Sequence, residues 1–153
     1  MGDRSGTVKI ARVFDFPRDL VFKMWTDPAK VAKWWGPERG VVVVSVVDPR
    51  PGGVMRIDVR TPAGVIHSMT GSFTEIAYPD RLVFRSAAPN SGVSVSPWVA
   101  LNTVTFEELG PKKTRLTVVV EVVEAPPGEL QALKEGFKGG WGESLGKLQK
   151  ALS

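Results

Sequence analysis

The strongest candidate for acid–base chemistry is His67, the only histidine in the sequence. It lies in a segment whose side chains alternate as they do along a strand, and it shares the parity of Met69 and Phe73. Residues of one parity face one side of a sheet, so a buried His67 would be placed to act as a general base. The alternative is a histidine at the end of a strand, wetted by solvent.

Glu75 continues the parity of His67 and is therefore predicted to face the same side of the sheet. A carboxylate in that position can accept a hydrogen bond from a ligand hydroxyl. It can equally form a structural ion pair with an arginine, for which Arg12 and Arg56 are candidates.

Asn102 shares the presumed inward parity of Trp98 and Val104. A buried amide needs hydrogen-bond partners, which come from the protein or from a polar ligand. With one histidine and no cysteine, the sequence supplies neither a nucleophile–base–acid set nor a metal site of histidine and cysteine ligands. No glycine-rich phosphate loop follows a strand, so no cofactor is expected. Because the sequence lacks these catalytic sets, ligand binding is favoured over catalysis.

The composition is that of a soluble globular protein, with 42% hydrophobic and 24% charged residues among 153, and it predicts a single domain over residues 1–153. The absence of cysteine excludes disulfide bonds and fits a reducing cytoplasm. The charged, alternating N-terminus resembles neither a signal peptide nor a membrane span. The net charge is +4, but the basic residues are scattered, so we expect no binding to nucleic acid.

Hydrophobic periodicity predicts the elements that must position these side chains. A terminal amphipathic helix and an antiparallel sheet with one apolar face pack economically when the sheet curls around the helix, which is an α+β helix-grip fold. The small, polar segment 87–97 is too long for a tight hairpin and is predicted to be a mobile loop. The predicted order is a strand at 8–15, helices at 17–26 and 27–35, strands at 41–47, 55–60, 65–76, 81–86, 98–109 and 113–122, and a long helix at 130–152.

Two adjacent tryptophans, Trp34 and Trp35, end the second short helix. Adjacent side chains on a helix cannot point the same way, so we expect one indole in the core or in a cavity wall and the other partly exposed. An indole offers a large apolar face and one N–H donor, which suits core packing and ligand contact alike.

The long helix contains five glycines, although glycine is a poor helix former. On a helical wheel, Gly139, Gly142 and Gly146 fall on the side away from the apolar stripe, while Gly136 and Gly140 lie along its border. The border glycines are expected to let a neighbouring strand or loop approach closely. The others are expected only to loosen the helix.

A series of motifs that covers nearly the whole chain resembles the stand-alone bacterial proteins related to the C-terminal domain of the Hsp90 ATPase activator. That family belongs to the START-like, helix-grip superfamily, which hosts many unrelated functions. The motifs are FDFPRDLVFKMWTDP at 14–28, WWGP at 34–37, DPRPGG at 48–53, GSFTEI at 71–76, PDRLVF at 79–84, TVTFEE at 103–108, TRLT at 114–117 and EGFKGGW at 135–141.

The resemblance implies a cavity between the long helix and the concave face of the sheet, gated by the two short helices and nearby loops. The parity of the strands and the stripe of the helix indicate which residues face that space. For each of them, solid core packing is the alternative to lining a cavity. The candidate lining residues are Trp34, Trp35, Met55, Ile57, His67, Met69, Phe73, Glu75, Phe84, Trp98, Asn102, Val104, Phe137, Trp141 and Leu145.

Three functions follow from these expectations. The first is a non-enzymatic protein that binds a small apolar or amphipathic molecule in the cavity. The second, which rests on the resemblance alone, is a stress-response partner of an Hsp90-type chaperone. The third is a cavity enzyme, of a cyclase or hydrolase kind, that uses His67 or Glu75. An exposed sheet edge is compatible with a monomer or a homodimer.

Overall fold

The computed structural model describes residues 6–88 and 98–153 of the chain, which form a curved antiparallel sheet with three helices. The predicted α+β helix-grip fold is confirmed. Ala87 and Ala88, predicted to begin the loop 87–97, are instead the last residues of a strand, and the rest of that prediction, residues 89–97, lies outside the described residues. The elements are β1 (Thr7–Phe14), α1 (Arg18–Thr26), α2 (Pro28–Val31), β2 (Val41–Val47), β3 (Val54–Arg60), β4 (Ile66–Ala77), β5 (Arg81–Ala88), β6 (Trp98–Gly110), β7 (Lys113–Glu124) and α3 (Leu130–Leu152).

The sheet is a meander that begins at β2 and is completed by β1. The strand order is β1-β7-β6-β5-β4-β3-β2, and every neighbouring pair is antiparallel. The chain therefore crosses from one edge of the sheet to the other between β1 and β2, and α1 and α2 lie in that crossing. The valine-rich sequence of β2 favours a strand because β-branched side chains lose rotamer freedom in a helix.

The second short helix is shorter than predicted. Asp27 caps it by accepting a hydrogen bond from the Ala29 backbone N–H at 2.9 Å, and Pro28 occupies its first turn. The helix ends at Val31, and turns continue the chain to Trp35. Gly36, with φ of +96°, then reverses the chain direction, a conformation that glycine adopts at little cost.

The core lies between the concave face of the sheet, α1 and α3. The apolar stripe of α3 is buried in its C-terminal half, whereas Phe137 in the N-terminal half is only partly buried. The largest fully buried side chains are Trp25, Trp34, Phe14, Phe73, Phe84, Phe106, Ile57, Leu82, Leu116, Leu145, Leu148 and Val21.

Asp58 is a buried carboxylate on the outer face of the sheet, with its side chain 7% exposed. Arg56 Nη2 donates a hydrogen bond to Asp58 Oδ2 at 3.1 Å. That hydrogen bond is the main cause of a lowered pKa for Asp58; burial opposes it, and a hydrogen bond from Ser68 on β4 adds to it. The ionised carboxylate therefore stabilises the pairing of β3 with β4.

We predict that Asp58→Asn lowers the free energy of unfolding at pH 7 and that this loss shrinks as the pH falls below about 4. A carboxylate with a lowered folded-state pKa contributes stability above its unfolded pKa, and the contribution disappears as the folded protein takes up the proton. Urea unfolding of both proteins at pH 7 and pH 3 measures the effect. Asp48→Asn is the control, because its Arg50 partner is exposed; an equal loss at both pH values for Asp58→Asn would contradict the prediction.

Candidate functional site

A pocket of about 200 Å³ lies between the N-terminal half of α3, strands β4 to β6, and the turn that follows α2. Its walls are mainly aromatic, and its polar groups come from serine and asparagine side chains. The residues that line it are Trp35, Gly36, Pro37, Met69, Phe84, Ser86, Trp98, Asn102, Gly136, Phe137, Gly140, Trp141 and Ser144.

The aromatic rings of the pocket contact one another edge to face. Trp35 and Trp141 have ring centroids 5.2 Å apart at 74°, and Trp98 and Phe137 have centroids 4.8 Å apart at 88°. Phe84 joins them, 6.2 Å from Trp35. Such pairs are favourable beyond the area that they bury, so they hold the apolar walls in place.

Trp25 supports the pocket from behind. Its ring stacks on Trp141 with centroids 5.4 Å apart at 21°, and its centroid is 4.6 Å from that of Trp34. Trp34 Nε1 donates to the Met24 carbonyl at 2.8 Å. Trp25 Nε1 is buried and has no hydrogen-bond partner among the described residues, so ring packing holds Trp25 in place.

The polar floor of the pocket is formed by Asn102 and Ser86, both buried. Asn102 Nδ2 donates to the Phe84 carbonyl at 3.2 Å and to Ser86 Oγ at 2.8 Å. These bonds supply the partners that a buried amide needs. They also fix both side chains, so the floor presents a preorganised hydroxyl and amide oxygen.

Ser144 of α3 ties the turn after α2 to the helix. Its hydroxyl oxygen accepts a hydrogen bond from the Gly36 N–H at 3.1 Å and donates to the Gly36 carbonyl at 3.0 Å. Ser144 is buried, so this pair of bonds connects residues far apart in the sequence without help from solvent.

Lys147, one turn further along α3, adds a second connection to the same turn. Its Nζ donates to the carbonyls of Trp35, Pro37 and Gly40 at 3.3, 3.1 and 3.2 Å. Partial burial lowers the pKa of Lys147, while Glu143 and Glu38 act in the opposite direction. The wall that contains Trp35 is thus attached to the helix by side chains at two successive turns.

A family model described as Activator of Hsp90 ATPase homolog 1-like protein matches residues 15–153. The chain belongs to this family. A search of curated proteins finds no match.

Solved structures of bacterial proteins share the fold. A protein from Chromobacterium violaceum is 27% identical, with a TM-score of 0.81 and 95% of each chain covered. A protein from Arthrobacter aurescens is 24% identical, with a TM-score of 0.83 over 99% of this chain and 89% of that one. The AHSA1 protein from Silicibacter pomeroyi is 21% identical, with a TM-score of 0.79 over 95% of this chain and 96% of that one.

The predicted site residues of this family member fall into three groups. Those that lie around the pocket are Trp35, Met69, Phe84, Trp98, Asn102, Phe137 and Trp141. Those that are buried in the core away from the pocket are Trp34, Met55, Ile57, Phe73, Val104 and Leu145. The third group consists of His67 and Glu75, which neither line the pocket nor belong to the buried core.

The predicted inward orientation of Glu75 is wrong. The register of β4 against β5 shifts between Phe73 and Glu75, so Phe73 lies opposite Phe84 whereas Glu75 lies opposite Val83. This bulge moves Glu75 to the outer face, because one extra residue reverses the parity of all that follow.

Glu75 forms an ion pair there with Arg81, whose Nε lies 2.6 Å from Glu75 Oε2. Glu75 therefore forms the predicted ion pair with an arginine, but the arginine is neither Arg12 nor Arg56. Arg12 instead donates to the Gly142 carbonyl at 3.4 Å, and Arg56 pairs with Asp58.

His67 lies opposite Val59 in the pairing of β4 with β3 and is half-buried. Its side of the sheet is the predicted inner one, since its cross-strand partner Val59 is part of the core. The pocket nevertheless has neither His67 nor Glu75 in its walls. The two acid–base groups on which the enzymatic alternative depends thus lie outside the pocket.

The glycines of α3 differ in their surroundings. A Cβ atom on Gly146 would lie 3.5 Å from Arg12 Nη1 of β1. Arg12 also donates to the Gly142 carbonyl, but a Cβ atom on Gly142 would meet no described atom within 4 Å. Gly136 and Gly140 line the pocket, and a Cβ atom on either would meet no described atom within 4 Å. Within residues 6–88 and 98–153, the border glycines face the open space of the pocket, and the predicted close approach of a strand or loop is not seen there.

Several pocket residues could have been found from the sequence by patterns already in use. Ser86 has the parity of Leu82 and Phe84, whose side chains are buried. Gly136, Gly140 and Ser144 follow one another at a spacing of four residues along α3, which places them on one face of a helix. The remaining residues missed by the prediction, Gly36 and Pro37, belong to a turn that periodicity does not describe.

We predict that Ser144→Ala lowers the free energy of unfolding by about 1–3 kcal/mol, because the partly buried N–H and carbonyl of Gly36 each lose a hydrogen bond. Ser153→Ala is the control, since it removes an exposed serine hydroxyl from the same helix end. Urea unfolding followed by tryptophan fluorescence measures the stability. Hydrogen exchange should show faster exchange of the Gly36 amide in Ser144→Ala, and unchanged exchange would contradict the assigned contact.

Proposed function

We propose that this protein binds a small, largely apolar molecule in the pocket between α3 and the sheet. The observation that carries the proposal is the aromatic lining of a space of about 200 Å³. An apolar cavity of about 150 Å³ in another protein takes up benzene, so this volume is sufficient for a ligand of one or two rings. Clefts of this kind, apolar with a few fixed polar groups, are typical of small-molecule sites.

The proposed activity is binding without catalysis. None of the described residues around the pocket has a side chain that titrates near neutral pH. Ser86 and Asn102 are hydrogen-bonded to each other and can orient a ligand, but a serine without an adjacent base is a weak nucleophile. In the described part of the chain, no helix has the length and apolar character required to cross a bilayer.

The family match supports a second partner, a chaperone of the Hsp90 type, because the family is described by its likeness to an activator of that ATPase. The ATPase rate of such a chaperone, measured with and without this protein, tests the idea. An unchanged rate would remove it and leave the small-molecule proposal intact. A cytoplasmic location and the choice between monomer and homodimer stay predictions of the sequence.

We predict saturable binding, at one molecule per chain, of the neutral fluorescent probe 1-naphthylamine, whose two rings match the volume of the pocket. Met69→Trp should weaken binding at least tenfold, because the larger side chain occupies the pocket. The measurement is probe fluorescence in a titration, with circular dichroism to show that each variant is folded.

Val54→Trp is the matched control, since it adds the same side chain at an exposed position on β3. It should leave the affinity unchanged. A folded protein that shows no saturable binding would contradict the proposed function. Equal weakening by both variants would show that the probe binds elsewhere.

A further inference from the structure

Two of the five α3 residues that line the pocket are glycines, Gly136 and Gly140. Gly136, Gly140 and Ser144 lie one turn apart along α3, and each lines the pocket. A Cβ atom built on Gly136 or Gly140 meets no described atom within 4 Å, and neither glycine has a positive φ that would require glycine. The backbone of α3 is therefore exposed to the pocket at these two glycines and forms part of its wall, next to Phe137 and Trp141.

The other walls present the faces and edges of aromatic rings. Trp98 and Trp35 stand nearly perpendicular to Phe137 and Trp141, respectively. A ring placed among them can form offset-stacked or edge-to-face contacts, which are favourable beyond simple burial of area. An alkyl chain of the same area gains only the burial. The shape and chemistry of the walls thus favour a flat aromatic ligand.

The floor adds a requirement for one polar group. Ser86 and Asn102 are 5% and 2% exposed, so a ligand atom that displaces water from them must replace its hydrogen bonds. Both hydrogens of Asn102 Nδ2 are already donated, to the Phe84 carbonyl and to Ser86 Oγ. The groups that can serve a ligand are the Ser86 O–H as donor and Asn102 Oδ1 as acceptor. A hydroxyl group, which both donates and accepts, matches this pair.

We propose that the pocket selects a flat aromatic molecule of one or two rings that carries a hydroxyl group. The rings lie along the wall formed by Gly136 and Gly140, and the hydroxyl bonds to Ser86 and Asn102. Gly140 sets the depth of the pocket, because any side chain there projects into the space of the rings. The inference rests on the proposed binding function and names the chemical class of its ligand.

Three ligands separate these features when each displaces bound 1-naphthylamine. 2-Naphthol has flat rings and a hydroxyl, naphthalene has the rings alone, and 1-decanol has a hydroxyl on an alkyl chain. 2-Naphthol is expected to bind at least tenfold more tightly than 1-decanol and several-fold more tightly than naphthalene. If 1-decanol binds as well as 2-naphthol, the aromatic selectivity is wrong while the binding function stands. If the probe itself does not bind, both proposals fail.

Variants of the wall and the floor test the assigned roles. Gly140→Ala should weaken 2-naphthol binding at least fivefold, whereas Gly139→Ala, on the exposed side of α3, should leave it unchanged. Both changes should raise the unfolding midpoint, because alanine is the better helix former, so a difference in affinity cannot come from helix stability. Ser86→Ala should remove most of the preference for 2-naphthol over naphthalene. Equal affinities in the two glycine variants, or an unchanged preference in Ser86→Ala, would overturn the proposal.

Discussion

The stacking of Trp25 on Trp141 holds the middle of α3 against the aromatic core. Five glycines cost this helix about 4–5 kcal/mol relative to alanine, so its own sequence favours the helical state weakly. Burial of Trp141, Leu145 and Leu148 contributes about 1.5–3 kcal/mol for each side chain and offsets that cost. The helix is therefore defined by what it packs against, and Trp25 connects it to α1 on the far side of the pocket wall.

Hydrophobic pattern was sufficient to predict the fold because the elements are long and regular. The strands span seven or more residues, and the stripe of α3 is continuous, so the type of each element is clear. The same pattern found Trp98 and Asn102 on β6 and Phe137 and Trp141 on α3, where inward parity and the helical stripe hold. Trp34 and Trp35 also separate as adjacent side chains must, with Trp34 buried in the core and Trp35 in the pocket wall.

The errors arise where a local irregularity or a distant polar contact decides the outcome. The bulge before Glu75 reverses the parity of the strand, and parity counting assumes that no residue is inserted. Gly146 was assigned to the outer side of α3, but its Cβ position lies next to Arg12 of β1, because a helical wheel contains no information about neighbouring strands. The bonds of Ser144 and Lys147 span more than 100 residues, and periodicity carries no information about them.

Those bonds have a consequence for how the pocket opens. The turn that contains Trp35 is joined to α3 by two bonds from Ser144 and three from Lys147, so turn and helix form one rigid unit. Separating them would leave several polar groups unpaired at once. Among the described residues on the opposite side of the pocket, Trp98 of β6 meets the helix through ring packing with Phe137. A ligand of the proposed site would therefore enter past this packed side rather than past the hydrogen-bonded turn.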